Sequence, residues 1–394
     1  MKPYPKYRDS GVEWIGRIPE GWKVQRLKYI ADLKSGNMIT ADLIKESDEY
    51  PVYGGNGLRG YCSSYSHNGS FVLIGRQGAL CGNICYATGK FWASEHAVVA
   101  TLLGHSSSWL GELLRTMDLN QYSQSAAQPG LAVDYIKNLF IPIPSRHEQN
   151  AIAAYLDRKT AKIDDLIAKK RRLIELLTEE RIAVINQAVT KGLDPSVKMK
   201  DSGVGWSEKV PEGWEIKRLK YVADFKSGNS ISADLIEENG EYAVYGGNGL
   251  RGYTSSYSHD GAFVLIGRQG ALCGNICYAT GKFWASEHAV VATLLRGHSL
   301  IWFGELLKSM NLNQYSQSAA QPGLAVDYIK NLYIPIPSNH EQIAIANYLD
   351  YKTTQINQTI SKSEKQIQLL QEYRTALISE VVTGKIDVRE EVSA

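Results

Sequence analysis

Residues 71–103 read FVLIGRQGALCGNICYATGKFWASEHAVVATLL, and residues 263–295 repeat them without a change. A repeat of this length decides the architecture before any single strand or helix is assigned. Working outward, Asp9-Ser-Gly-Val-Glu-Trp14 returns as Asp201-Ser-Gly-Val-Gly-Trp206, and Pro19-Glu-Gly-Trp22 as Pro211-Glu-Gly-Trp214. One residue inserted near Arg296 shifts the later matches, such as Gln128-Pro-Gly130 with Gln321-Pro-Gly323. Two copies of about 190 residues are too long for solenoid units, and each is large enough to bury its own core. These are tandem domains.

Each copy changes texture part-way. The first stretch is rich in Gly, Tyr and Ser, with short apolar runs such as Tyr50-Pro-Val-Tyr53, Phe71-Val-Leu-Ile74 and the run 97–103. Turn signals at Gly54-Gly-Asn-Gly57 and Asn68-Gly69 separate them, which is the pattern of short strands and loops. Short helices are expected around residues 109–117 and 134–138, so each globular part is α+β.

The second stretch starts after Ile141-Pro-Ile-Pro144. Ser145-Arg-His-Glu148, repeated as Ser338-Asn-His-Glu341, has the spacing of a capping box, and prolines just before it block an earlier helix start. Ile152, Leu156, Ile163, Ile167, Ile174, Leu177 and Val184 then recur at threes and fours, as do Ile345, Leu349, Ile356, Ile360, Ile367, Leu370 and Leu377. That is a heptad-like seam. Gly192 and Gly384 stand where helix stops are expected. Two amphipathic helices of about 45 residues, roughly 65 Å each, must cover their stripes, and pairing with each other is the economical solution. An antiparallel pair would place one globular domain at each end, like a ruler. The expected boundaries are a globular domain over 1–144, a central coiled-coil helix over 145–191, a second domain over 192–337, a C-terminal coiled-coil helix over 338–385 and a tail over 386–394.

Composition narrows the class. The apolar share of 44% and charged share of 21% are those of an ordinary soluble globular protein. No apolar run reaches the ~20 residues a membrane helix needs, and the start Met1-Lys-Pro-Tyr-Pro-Lys6 lacks a signal-peptide core, so a cytoplasmic protein is expected. The five cysteines are odd in number, which argues against a disulfide framework. Cys81 and Cys85, repeated as Cys273 and Cys277, have no second ligand pair nearby and read as small buried residues and not as a zinc site. A net charge of +2 argues against strong DNA binding by the chain alone.

Motifs of catalysis are missing. There is no GxxxxGK[ST], HExxH or GxSxG, no Asn-Pro-Pro-Tyr or Asp-Pro-Pro-Tyr of adenine methyltransferases, and no nuclease-type acidic pair before Glu-x-Lys. No catalytic residue, metal ligand or cofactor is expected. The polar residues that repeat best lie on Gly-rich loops. They are Lys34 and Asn37, Asn56 and Arg59, Arg76 and Gln77, and Gln121 and Gln124. Their copies are Lys226 and Asn229, Asn248 and Arg251, Arg268 and Gln269, and Gln314 and Gln317. Arg matches guanine with two hydrogen bonds, Asn or Gln matches adenine, and Lys positions phosphates, so this set is the candidate DNA-binding surface. The plainer alternative is that Gly-Asn-Gly marks a turn and that Arg76 is structural. His96 and His288, in Ser-Glu-His-Ala, read as core or framework residues. The basic run Lys169-Lys-Arg-Arg172 reads as the solvated face of a helix, because its counterpart mixes Lys362, Glu364 and Lys365.

Several of these segments together resemble the specificity subunit of type I restriction-modification systems: Trp14-Ile-Gly-Arg-Ile-Pro-Glu-Gly-Trp22, Ile141-Pro-Ile-Pro144, Glu148-Gln149 followed by Ala151-Ile-Ala-Ala-Tyr-Leu-Asp157, and Thr190-Lys-Gly-Leu-Asp-Pro195. The resemblance spans nearly the whole chain. It implies two target-recognition domains that each bind half of a split double-stranded DNA site, and two antiparallel helical regions that dock methyltransferase subunits, with restriction subunits joining the complex. It also implies a subunit with no catalysis of its own. Members usually carry dissimilar recognition domains, whereas these are nearly the same, so a palindromic target is expected. The helix length bounds the half-site spacing at about 20 base pairs. Binding by the chain alone is expected to be weak, because partner subunits would share the phosphate contacts. Two other classes remain open from the residues: a duplicated adaptor binding protein or glycan across a coiled-coil spacer, and a stand-alone nucleic-acid enzyme. Salt-dependent binding to duplex DNA separates the first of these from a DNA reader, and incubation with DNA, metal and methyl donor exposes the second.

Overall fold

The computed structural model describes residues 2–78, 80–123, 130–270, 272–295, 297–316 and 323–391. In chain order the first copy contains β1 (Tyr7–Asp9), β2 (Arg17–Pro19), β3 (Lys23–Arg26), β4 (Ala31–Ser35), β5 (Tyr50–Gly54), β6 (Gly57–Cys62), β7 (His67–Gly75), β8 (Ile84–Ala93) and β9 (Ala97–Leu102). Then come α1 (Ser107–Thr116), α2 (Val133–Lys137), β10 (Phe140–Ile143) and the long α3 (Arg146–Lys191). The second copy repeats the order with β11 (Met199–Val204), β12 (Ser207–Pro211), β13 (Glu215–Arg218), β14 (Ala223–Ser227), β15 (Tyr242–Gly246), β16 (Gly249–Thr254), β17 (His259–Gly267), β18 (Ile276–Ala285) and β19 (Ala289–Leu294). It ends in α4 (Leu300–Ser309), α5 (Val326–Lys330), β20 (Tyr333–Ile336) and α6 (Asn339–Val382). The fold class is α+β, as the sequence predicts.

The repeated block supplies the centre of each main sheet. In the first copy the order is β4-β9-β7-β8-β5-β6, antiparallel throughout except for the parallel pair β5 and β8. The apolar run Phe71-Val-Leu-Ile74 serves two cores because alternate strand residues face opposite ways. Val72 and Ile74, with Val98 and Ala100, join the core that holds α1 and the long helices. Leu73, with Val99, Ala87 and Phe91, fills a second cluster whose rim is Tyr53 and Phe71. Residues from four strands meet in that second cluster. On the β7–β8 pair Gly69 faces Gly89, and both have positive φ (140° and 79°), which glycine tolerates without a Cβ penalty. Gly261 and Gly281 do the same in the second copy.

The chain divides into two compact units, residues 1–171 with 364–394, and residues 172–363. Each unit therefore contains one globular copy, the first part of one long helix and the last part of the other. In the first unit Ile152, Leu156, Ile163 and Ile167 of α3 share a core with Leu377, Ile378, Val381 and Val382 of α6. Asp164 accepts from Arg374 Nε and Nη2 at 3.0 and 3.3 Å. In the second, Ala188 and Val189 of α3 share a core with Ile345 and Leu349 of α6, and Arg181 donates to Asn357 Oδ1 at 3.0 Å. Early residues of one helix meet late residues of the other, so α3 and α6 pack together antiparallel. The seam is less uniform than the spacing suggests. Ile174, Leu177, Ile360 and Ile367, toward the middle of each helix, are only half-buried.

The helix ends follow the expected signals. Glu148 N–H donates to Ser145 Oγ at 3.3 Å while Ser145 N–H donates to Glu148 Oε2 at 3.1 Å, which is the reciprocal capping box. Glu148 also accepts from Trp22 Nε1 at 3.2 Å, and Glu341 from Trp214 Nε1 at 3.0 Å. Gly192 and Gly384 both stop their helices at φ +76°. A Cβ at Gly384 would come within 3.0 Å of Trp22, and one at Gly192 within 3.4 Å of Trp214. The repeated Pro-Glu-Gly-Trp is thus the seat where one helix begins and the other ends. Behind it Gln149 is fully buried and fully bonded: Oε1 accepts from Ser106 N–H at 3.2 Å, and Nε2 donates to Pro144 O at 3.1 Å.

Candidate nucleic-acid interface

Three of the sequence-predicted residues converge in the first unit. Asn56, Arg59 and Gln77, with Gly55, Gly78, Leu80 and His96, line an open concavity of about 350 Å³. Asn56 sits in the β5–β6 turn, where its Oδ1 accepts from Asn83 Nδ2 at 3.1 Å. Arg59 lies on β6 with its aliphatic stem across Gly54, where any Cβ would collide with Arg59 Cδ. Gly75 and Gly55 are pressed together in the same way: a Cβ at Gly75 would strike the Gly55 carbonyl. The glycines are needed for close approach of the loops, so the turn reading holds here and is compatible with the site reading.

His96, which the sequence reads as a core or framework residue, is part-exposed on the wall of this concavity, with 41% of its side chain accessible. Its Nδ1 lies 2.9 Å from Gln77 Oε1, and its Nε2 lies 3.1 Å from Glu95 Oε1. Its framework role stands, through those two contacts and through its carbonyl, which accepts from Arg76 N–H at 2.8 Å. The second unit repeats the constellation: His288 lies 3.0 Å from Gln269 Oε1 and 3.3 Å from Glu287, and Asn275 donates to Asn248 at 3.4 Å. Arg251 lies across Gly246 as Arg59 does across Gly54. No motif pointed to the histidines. The only available signal was their place one residue after an acid, just before a strand.

The other candidates are dispersed. Arg76 and Arg268 are half-buried beside the strand ends, with their backbone carbonyls accepting from Leu131 and Leu324 N–H groups. Asn37 is exposed, and its backbone docks on the sheet through Ala93 O at 2.8 Å and Trp92 Nε1 at 3.2 Å; Asn229 is held likewise by Ala285 and Trp284. Lys34 and Lys226 are exposed on strands but paired with Asp32 at 2.7 Å and Asp224 at 3.0 Å. Hydrogen bonds from those lysines hold both carboxyls below the usual aspartate range. Gln121 and Gln314 donate to Met117 O and Met310 O at 2.7 and 2.6 Å, closing the ends of α1 and α4. Gln124 and Gln317 lie outside the described residues.

Cys62, Cys81 and Cys273 are buried and free, while Cys85 and Cys277 are half-buried, with thiols pushed up by burial. Lys169 and Arg172 pair with Asp165 and Glu175 on their own helix at 2.8 Å, on a solvated face. Among the described residues no helix is long and apolar enough to cross a membrane.

Comparison with known proteins identifies the family and the fold. The family "Type I restriction modification DNA specificity domain" matches residues 19–176 and again 211–369. The type I restriction enzyme EcoprrI specificity subunit of Escherichia coli is 44% identical over 162 residues, which is 40% of this chain and 40% of that one. The MjaVIII specificity subunit of Methanocaldococcus jannaschii is 23% identical over 426 aligned positions, covering 95% of each chain. A solved structure from work on complex assembly and conformational transition of the type I restriction-modification system shares the fold, with a TM-score of 0.67, 16% identity, and coverage of 94% of this chain and 99% of that one. With the family matched over both copies, the chain belongs to the type I restriction-modification DNA specificity family, as a non-catalytic specificity subunit that carries the domain twice.

Proposed function

We propose that the chain reads a split, palindromic DNA target, one half-site per globular copy, and presents it to methyltransferase subunits docked on α3 and α6. Residues 1–144 and 192–337 are the recognition domains in this reading, and 145–191 and 338–385 the connecting helices. The observation that carries it is the duplicated constellation: Asn56, Arg59 and Gln77 in one unit, and Asn248, Arg251 and Gln269 in the other, are held by the same contacts. Identical donors and acceptors in the same arrangement recognise the same base edges. Antiparallel packing of the helices supports half-sites that run in opposite directions. The more scattered candidates, Lys34, Asn37, Arg76 and Gln121 with their copies Lys226, Asn229, Arg268 and Gln314, would contact backbone or flanking bases.

Partner docking is supported by the helices themselves. Leu166, Leu176 and Ile182 of α3, and Ile343, Tyr351 and Leu369 of α6, are exposed by 41% or more. A run of exposed apolar side chains along a helix pair is what an obligate partner covers. Two methyltransferase subunits, one per unit, fit the duplication, and restriction subunits would join through the complex. The cytoplasm is where such a complex meets its DNA. Phosphate contacts shared with the partner would explain the modest net charge, so duplex binding should tighten strongly when methyltransferase is added at matched salt. Methylome sequencing of a host expressing the system is the direct test. One half-site, a fixed spacer and its inverse is the expected motif; two unrelated half-sites would overturn the proposal.

A further inference from the structure

We infer that the Glu95–His96 pair, and its copy Glu287–His288, sets which end of the Gln77 or Gln269 amide faces the DNA and so selects the base edge each unit accepts. The inference rests on the DNA-reading function proposed above. Gln77 is exposed in the concavity, and its only orienting contact among the described residues is the His96 ring. The ring is held between two acceptors, Glu95 Oε1 at Nε2 and Gln77 Oε1 at Nδ1, at 3.1 and 2.9 Å.

A carboxylate at Nε2 fixes a proton there, because it can only accept. What Nδ1 carries then depends on the charge of the ring. A protonated ring donates from Nδ1 to Gln77 Oε1, and the amide NH₂ is turned outward as a donor. A neutral ring offers Nδ1 as an acceptor, so the amide rotates, donates to it and turns Oε1 outward. An outward NH₂ suits the acceptors of guanine, thymine or adenine N7, whereas an outward carbonyl suits the amino groups of adenine or cytosine. Oε1 is the amide atom that lies at Nδ1. Glu95 Oε2 is itself buried with no partner among the described residues. Arg59 from β6 lines the same concavity, and Arg76 precedes Gln77 on the facing loop. Ser94 Oγ accepts from the His96 backbone N–H at 3.4 Å and holds the ring's own loop. The second unit repeats the contacts of His288 with Gln269 and Glu287, and Glu287 Oε2 is again buried without a partner among the described residues, whereas Ser286 Oγ there makes no hydrogen bond to the loop. His96 and His288 are thus positioning residues, and Gln77 and Gln269 the readers.

The test uses the full chain assembled with its methyltransferase and a library of duplexes that randomises each base of the target, read by methylation at pH 6 and pH 8.5. Wild type should change its preference at one base pair of each half-site between the two pH values, toward amino-bearing bases at the higher pH. H96A/H288A should lose about tenfold of the discrimination at that pair and its pH dependence, with other positions unchanged. E95Q/E287Q keeps the ring and the fold but removes the carboxylate that holds the Nε2 proton, and should weaken the change in preference between the two pH values. Q77A/Q269A should erase discrimination at the same pair. Unchanged preference in Q77A/Q269A overturns the inference, as does a glutamine effect that neither histidine nor glutamate variants alter. Absence of any sequence preference in wild type would instead remove the DNA-reading function on which the inference stands.

Discussion

The globular copies and the long helices were duplicated together, yet they differ in what they have kept. Block 71–103 is identical to 263–295, whereas α3 and α6 agree closely only near their starts, at His-Glu-Gln and Tyr-Leu-Asp, and beyond that mainly in the spacing of apolar residues. The difference follows from what each region must do. A helix seam needs side chains of the right polarity at threes and fours, and many sequences supply that. The sheet centre serves two cores with alternate residues, and its loops carry fixed donors and acceptors, so few substitutions are neutral there. Even the cross-helix contacts diverged in kind: Asp164 with Arg374 is an ion pair, and its counterpart Asn357 with Arg181 is a neutral acceptor.

If that contrast is right, damage should be greatest where identity is kept. Trp22→Ala removes a ring that is 2% exposed, the bond to Glu148 and the seat of Gly384, and is expected to cost about 3–5 kcal/mol in urea unfolding. Trp214→Ala should cost about as much, and a clearly smaller loss would show that the two seats are not equivalent. Next comes Gln149→Leu, which strands the Ser106 N–H and the Pro144 carbonyl in the core, at about 1–3 kcal/mol by the same measurement.

A smaller effect concerns pH. Burial against Phe91 holds His67 below its ordinary value of 6.5, and His259 stands likewise against Phe283. The unfolded chain then takes up protons that the folded one refuses. Stability should be full above about pH 6.5 and fall as the pH drops below it. His67→Phe with His259→Phe should flatten that slope in thermal unfolding between pH 7 and pH 5; an unaltered slope would assign it to other groups. Smallest of all, Arg374→Gln breaks a part-exposed pair on the diverged helices and should cost about 0.5 kcal/mol. A loss as large as that at Trp22 would break the contrast itself.

What could be read without coordinates divides along the same line. Helix starts and stops were legible because Ser145, Glu148, Pro144 and Gly192 each act within a few residues of their own position. Strand partners were not. The parallel pairing of β5 with β8, and the pairing of β3 with β10 across most of the globular domain, leave no local mark, since a short apolar run states its faces and not its neighbours. That Gly69 and Gly89 face each other needed the register to be seen. Among the site residues, Asn56, Arg59 and Gln77 were legible as loop polars repeated in both copies, but that they share one concavity was not. His96 was legible as a framework residue, but its place in the concavity was not, because that depends on Gln77 from a separate segment.

The split of the first unit across residues 1–171 and 364–394 has a consequence for synthesis. Residues 172–363 leave the ribosome as one continuous stretch and can close their core as soon as α6 begins. The earlier-made unit has to wait, with the α3 face around Ile152 and Leu156 uncovered, until Leu377, Val381 and Val382 emerge. The domain translated first is therefore the one completed last. A nascent chain arrested before residue 364 is expected to protect its second half from protease while its first half is still cut.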